Sequence, residues 1–196
     1  MKHPNAKWLF GNGVLYEMCD EYPKHDDADT IVGKLWLIGR SYSAALERRR
    51  TGDQLDSDTF YYDVVAPKMK EIGADLDARI SEIKRYPIVT SENLSEILKV
   101  HKFLTDAFDS ITQMEKRSLA SKYLHFHQPN LFYLYDTRAS QGINKLVQLT
   151  NKRLFVDADQ EYSAFCQRCL EFQKFVERKF NRVLTPREID DFLLYG

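Results

Sequence analysis

The chain has 196 residues, 43% of them hydrophobic, and its 28 basic and 29 acidic side chains leave a formal net charge of -1. That length supports one helical domain with a genuine core, or two closely packed lobes of about 1–90 and 91–196. The balanced charge excludes a global field that would draw the protein onto a polyanion, so any nucleic-acid site must be local.

Periodicity then predicts helices along most of the chain. Trp8 to Glu21 carries apolar residues at Leu9, Phe10, Val14, Leu15 and Met18, with Tyr22-Pro23 as its end and Gly11-Asn12-Gly13 blurring its start. A long central helix is expected from Asp29 to Arg50, through Ile31, Leu35, Ile38, Tyr42, Ala45 and Leu46, stopping at Thr51-Gly52-Asp53. Asp56 to Arg85 is also helical in pattern, with Pro67 and Gly73 as expected kinks or breaks. Leu94, Ile97, Leu98, His101, Leu104 and Phe108 form a further stripe, with Thr90 and Ser91 as cap candidates. After the segment from Lys116 to Asp136, helix resumes to about Leu149, and a stripe runs from Tyr162 through Phe165, Cys166, Cys169, Phe172 and Val176 to Phe180. Thr185-Pro186-Arg187-Glu188 is a capping box opening a short terminal helix. Only Ile88-Val89 and Leu131 to Tyr135 have the composition of short strands, so the class is all-α, about eight helices with little or no sheet. The apolar runs fall short of the roughly 20 residues of a membrane span. Met-Lys-His-Pro-Asn opens no signal-like apolar region, and three cysteines lack a disulfide spacing; a cytoplasmic location is expected.

The chemistry concentrates between Lys116 and Asp136. On a helix, Leu119, Lys122, Tyr123 and Phe126 share one stripe about 100° wide, which sets a lysine among apolar side chains. Such an amine either snorkels to water along its butyl stem or stays desolvated, which lowers its pKa and makes it a Schiff-base nucleophile. Asp136 precedes Thr137-Arg138-Ala139 as a helix cap, and a capping carboxylate that opens onto a pocket can also accept a proton or stabilise a cation. His125 and His127 point about 200° apart on a helix, so a shared metal requires the helix to have ended; helix-end histidines are the simpler reading, and no metal site is assigned. Cys166 and Cys169 sit on a core stripe and read as packing, as does His101. Arg48-Arg49-Arg50, with Arg40 and Lys34 upstream, reads as a solvated helix end that could also meet phosphates.

Ser121-Lys122 within a helix, an aromatic-rich connection, and Tyr135-Asp136 opening the next helix resemble the catalytic segment of the helix-hairpin-helix DNA glycosylases. Ser118 to His127 is similar in particular to bacterial proteins with an 8-oxoguanine glycosylase-like fold, over roughly Lys116 to Ala139, with a vaguer likeness from Gly39-Arg40-Ser41-Tyr42 to Arg48. The resemblance implies that Lys122 attacks the sugar C1' and forms the Schiff base, and that Asp136 assists glycosidic cleavage. It also implies a damaged or modified base drawn from DNA or a nucleoside, with no metal or organic cofactor. Tyr42, Phe132 and Tyr133 are candidate aromatic walls for that base. Arg40, His125, His127 and Arg138 are further candidate substrate contacts, and Lys116 and Arg117 candidate DNA contacts. The chain departs from the family where Ile111-Thr112-Gln113-Met114-Glu115-Lys116 has no glycine in the hairpin, and where the lysine-to-aspartate connection is short. A helical binding module that keeps the scaffold without catalysis, for instance a bacterial antiviral or protein-interaction component, is the second reading. A nuclease or hydrolase built on His125 and His127 is the third.

Overall fold

In the computed structural model, which describes residues 9–48, 56–150 and 152–195, every regular element is helical and no strand occurs among the described residues. The order is α1 (Leu9–Glu21), α2 (Ala28–Ser41), α3 (Ser57–Thr59), a π-helical segment (Phe60–Val65), α4 (Ala66–Ile83), α5 (Leu94–Thr112), α6 (Arg117–His127), α7 (Thr137–Leu146), α8 (Gln160–Phe180) and α9 (Pro186–Tyr195). One continuous apolar cluster runs from Leu15 on α1 to Ile189 on α9. Among the described residues no helix is long and apolar enough to cross a membrane.

The helix α6 organises the first part of the molecule, packing on α1, α2 and α5, while α7 packs on α8 and α9. All eight residues from Leu119 to Phe126 are buried. This corrects the single-stripe expectation: α6 is buried all round, so its polar residues are interior too and must find partners there. Residues Gln113–Lys116 join α5 to α6, and Gln113 takes the left-handed conformation (φ 55°) in place of a hairpin glycine.

Several element boundaries differ from the expectation. Asp27 caps α2 by accepting the Thr30 N–H, and α2 ends at Ser41 instead of continuing to Arg50; Arg49, Arg50 and the Thr51-Gly52-Asp53 stop lie outside the described residues. The chain folds back there: Ser43 is left-handed (φ 52°), and the Ala44 N–H donates to the Gly39 carbonyl at 2.7 Å. A Cβ on Gly39 would stand 2.9 Å from the Ala45 Cα, so the reversal needs glycine at that contact. Because Ala45 and Leu46 are buried after the turn, their spacing continued the helical pattern past the true end. Pro67 lies in the first turn of α4, directly behind the π segment, and Gly73 breaks nothing. The cap of α5 is Asn93, not Thr90 or Ser91; its side chain accepts the Thr90 N–H and donates to the Ile88 carbonyl. The helix α7 stops at Leu146, three residues before the expected Leu149. Leu131 to Tyr135 is buried and without a strand, and the Val89 N–H donates to the carbonyl of Asn130 just before it. The Thr185–Glu188 box forms as read, with Glu188 accepting the Thr185 N–H and the Thr185 hydroxyl accepting the Glu188 N–H.

Gly73 is where α4 meets the α1–α2 connection, and a Cβ there would fall on the His25 carbonyl oxygen. Gly33, inside α2, has no atom within 4 Å of its would-be Cβ. Gly73→Ala is therefore expected to destabilise by about 1–3 kcal/mol through overpacking. Gly33→Ala should stabilise by about 0.5–1 kcal/mol through helix propensity. Thermal unfolding of both variants checks this, and a higher Tm for Gly73→Ala contradicts the packing.

Burial holds four histidines neutral. It pushes His25 and His101 down to about 4, and His125 and His127 well below their ordinary range. Unfolded, each titrates near 6.5, so between about pH 6.5 and 4 the unfolded chain binds more protons and stability falls with acidification. Asp190, which burial pushes up to about 6, opposes this with one proton. The four histidines outweigh the one carboxyl, so the net effect of acidification is destabilising. Circular dichroism should show cooperative unfolding between pH 6 and pH 4; an unchanged urea midpoint across that interval contradicts neutral buried histidines.

Candidate functional site

The irregular segment Leu131–Tyr135 has no sheet partner; the Leu131 N–H donates to the Gln128 carbonyl, and side chains bind four further backbone groups. His125 Nδ1–H donates to the Phe132 carbonyl (2.9 Å), and the Tyr162 hydroxyl donates to the Tyr133 carbonyl (2.9 Å). Ser121 Oγ accepts the Tyr135 N–H (3.0 Å) and donates to the Ser118 carbonyl (3.0 Å). Lys122 Nζ donates to the Tyr135 carbonyl (2.6 Å) and to Ser118 Oγ (2.9 Å). The next residue is Asp136, which caps α7: its Oδ1 accepts the Ala139 N–H at 2.8 Å. Its other oxygen lies 3.9 Å from Lys122 Nζ. The tether of the segment thus delivers the aspartate to the lysine.

Lys122 does not snorkel; it is 1% exposed, against 33% for the Asp136 side chain. Burial lowers the ammonium to about 8, with Asp136 and Asp190 pulling the other way and Arg187 adding to the fall. The Tyr42 ring centre is 5.8 Å from Nζ. Two residues of α9 complete the group, and sequence reasoning had treated them only as part of a capping box and its helix. Arg187 Nη1 meets Asp190 Oδ2 at 3.2 Å, and its Nε and Nη2 donate to the Tyr16 hydroxyl, both at 3.2 Å. Tyr16 in turn donates to His125 Nε2 (2.7 Å). Arg187 also stands over the rings of Tyr42 and Phe126, 5.8 Å from each centre. Burial pushes the Asp190 carboxyl up to about 6 against the pull of Arg187 and Lys122. The i,i+3 spacing of Arg187 and Asp190 was visible; that they face Lys122 was not. Beside them lies a cleft of about 380 Å³ between α1, the end of α2 and α9, lined by Tyr16, Tyr42, Arg187, Asp190 and Asp191.

The other candidates lie elsewhere or serve the core. Phe132 and Tyr133 are fully buried, and Tyr133 donates to Gln173 on α8 (2.6 Å), so neither is a wall of that cleft. His125 is committed at both nitrogens. His127 sits away from it, its ring centre 5.2 Å from that of His25 and 4.9 Å from that of Tyr123, beside a second cleft of about 810 Å³. There His25 bridges Asp77 (2.6 Å) and the Tyr123 hydroxyl (2.8 Å). The two histidines of the nuclease reading are therefore separated, and no group of three potential metal ligands forms among the described residues. Arg40 pairs with Glu47 (2.5 Å) and stands over Trp36. Arg138 is exposed on the first turn of α7. Arg117 is bound by Asp159, Glu161 and Glu115, and Lys116 donates to the Arg48 carbonyl, so both candidate DNA contacts already have protein partners. Lys34, read from sequence as a surface cation, is a second buried lysine; it donates to the carbonyls of Tyr22 (2.8 Å) and Lys24 (2.9 Å). Cys166 and Cys169 are buried in the core, and His101 stacks on Tyr162 (3.6 Å).

Ser121→Ala removes the acceptor of a buried N–H. The loss is expected to destabilise by about 1–3 kcal/mol, the cost of an unpaired buried donor. An unchanged urea midpoint would show that the Tyr135 backbone does not depend on it. No protein-family model, curated protein or solved structure matches this chain.

Proposed function

We propose that the protein is a DNA base-excision glycosylase with abasic-site lyase activity, acting on a damaged or modified base through a Schiff base on Lys122. The observation that carries this reading is a buried amine 3.9 Å from a helix-capping carboxylate. An amine titrating near 8 is still mostly protonated at neutral pH, but roughly a fifth of it is neutral at about pH 7.4, against on the order of one part in a thousand for a solvated lysine. In this mechanism the nucleotide leaves the stack, and the Lys122 lone pair attacks C1'. The C1'–N bond breaks, its electron pair departs with the base, and the base takes up a proton. Asp136 stabilises the positive charge that develops on the sugar while its other oxygen keeps the cap. Opening of the sugar ring gives the imine, loss of the C2' proton expels the 3' phosphate, and water releases Lys122. These steps draw on protein side chains and water alone.

A second reading has its own observation. Lys122 is 1% exposed and already bonded to Ser118 and Tyr135, the geometry of a structural tether in a helical binding module that performs no catalysis.

Borohydride trapping separates the two. Incubation with duplex DNA containing an abasic site or an oxidised base should give a covalent adduct that Lys122→Ala abolishes. Asp136→Asn retains a good cap residue and should slow base release by about 10²-fold or more. Trapping should accelerate as pH rises toward 8, where Lys122 loses its proton, and then level off. Absence of an adduct on abasic and lesion-bearing DNA alike, or an adduct that survives Lys122→Ala, overturns the glycosylase reading in favour of the tether.

A further inference from the structure

We propose that the first half of α1 is a latch over Lys122: its Asn12 and Tyr16 hold two side chains that stand between the amine and the adjoining cleft, and unwinding of residues 9–16 lets them go. That the opened amine meets a nucleotide rests on the glycosylase reading, whereas the latch does not. Lys122 is 1% exposed, so an element beside it must give way before any ligand in the cleft reaches Nζ. The side chains in the way are Tyr42, whose ring centre lies 5.8 Å from Nζ, and Arg187, which stands over the same ring at the same distance. Both line the cleft of about 380 Å³, and Lys122 does not.

Both side chains are held from α1. Asn12 and Tyr16 are four positions apart and share one face of the helix. Asn12 Oδ1 accepts the Tyr42 hydroxyl (2.8 Å), and the Tyr16 hydroxyl accepts Arg187 Nε–H and Nη2–H (both 3.2 Å) while donating to His125 Nε2 (2.7 Å). The helix that carries these bonds is itself weakly held. None of residues 9–14 is buried, and the buried residues of α1, Leu15 and Cys19, come after them. Gly11 and Gly13 each cost helix stability relative to alanine, and neither has an atom within 4 Å of a would-be Cβ, so no close contact calls for glycine there. Lys34 grips the chain just past the other end of α1, at the carbonyls of Tyr22 and Lys24. Few buried apolar contacts and low intrinsic propensity mark the segments of a fold that open locally at little cost.

Reductive methylation of the full chain with formaldehyde and cyanoborohydride at mildly alkaline pH, read residue by residue by peptide mass spectrometry, tests this without DNA. Where labelling is slower than reclosing, its rate follows the population of the open form. Lys34, as fully buried and gripped outside the latch, is the internal reference. Tyr42→Phe and Tyr16→Phe keep their rings and each cut one side of the latch, so the labelling of Lys122 relative to Lys34 should rise about fivefold. Tyr42→Phe leaves the sequence of α1 and the bond to His125 untouched, and it is the deciding variant if Tyr16→Phe loosens the whole fold. Gly11→Ala combined with Gly13→Ala should lower the ratio about fivefold by stiffening the helix. A ratio that stays the same in Tyr42→Phe, or in the double alanine variant, overturns the latch. A ratio that moves as expected in a protein that forms no borohydride adduct with DNA sinks the glycosylase mechanism and leaves the latch standing. An adduct from a protein whose ratio does not move does the reverse.

Discussion

The rest of this structure depends on burying an irregular segment without a sheet to receive it. Leu131 to Tyr135 lies inside the molecule, and each of its peptide groups carries a donor and an acceptor that would cost several kcal/mol to leave unpaired in an apolar interior. In a sheet a neighbouring strand satisfies them. Here side chains of α6 and α8 bind four of them, Ser121, Lys122 and His125 on one and Tyr162 on the other, and the Leu131 N–H donates to the Gln128 carbonyl. This explains why α6 carries serine, lysine and histidine on a helix that is buried on all sides. They complete the backbone of the segment beside them.

Because the tether ends at Tyr135, Asp136 has little freedom in where it falls. Its backbone follows the carbonyl that Lys122 holds, and its side chain is fixed by the Ala139 N–H. The ion pair at 3.9 Å is therefore a consequence of the packing, and the carboxylate offsets part of the cost of burying the ammonium. Arg187 and Asp190 extend the same arrangement outward. Arg187 is held by Asp190 and Tyr16, and Tyr16 by His125, so one chain of bonds links α9, α1 and α6 to the Phe132 carbonyl. Lys122 and Asp190 are both buried there, and each shifts the other's titration.

The sequence exposed those parts of this arrangement that are local. The capping role of Asp136, the Thr185–Glu188 box and most helix cores follow from residue type and spacing within a turn or two. The α2 overrun shows where spacing misleads: Ala45 and Leu46 are core residues in helical register with Ile38, yet the chain reaches them through a left-handed turn at Ser43. The full burial of α6 was invisible for a related reason, since spacing marks only the stripe through Leu119, Lys122, Tyr123 and Phe126 and does not reveal the partners of its other residues. Those partners are remote: Tyr16 meets His125 across 109 positions and Arg187 across 171, and no periodicity encodes such pairs. Phe132 and Tyr133 erred in the opposite direction, because an aromatic run beside a reactive lysine suggests a pocket wall as readily as a core.

The two buried lysines differ in what surrounds them. Lys34 and Lys122 are alike in burial, and burial lowers each to about 8. Both donate to protein oxygens, so hydrogen bonding alone does not separate them. A neutral amine retains two N–H donors, enough to keep Ser118 and Tyr135 satisfied while its lone pair becomes available. Losing the proton is therefore compatible with keeping the tether. Lys122 has in addition a carboxylate oxygen at 3.9 Å and, through Tyr42, a cleft beside it. Lys34 faces two main-chain carbonyls and the Tyr123 ring, with no ion-pair partner within 4 Å among the described residues. Burial lowers both amines, but Lys122 has a carboxylate within 4 Å, whereas the charges of Asp77 and Asp26 reach Lys34 without an ion-pair contact among the described residues.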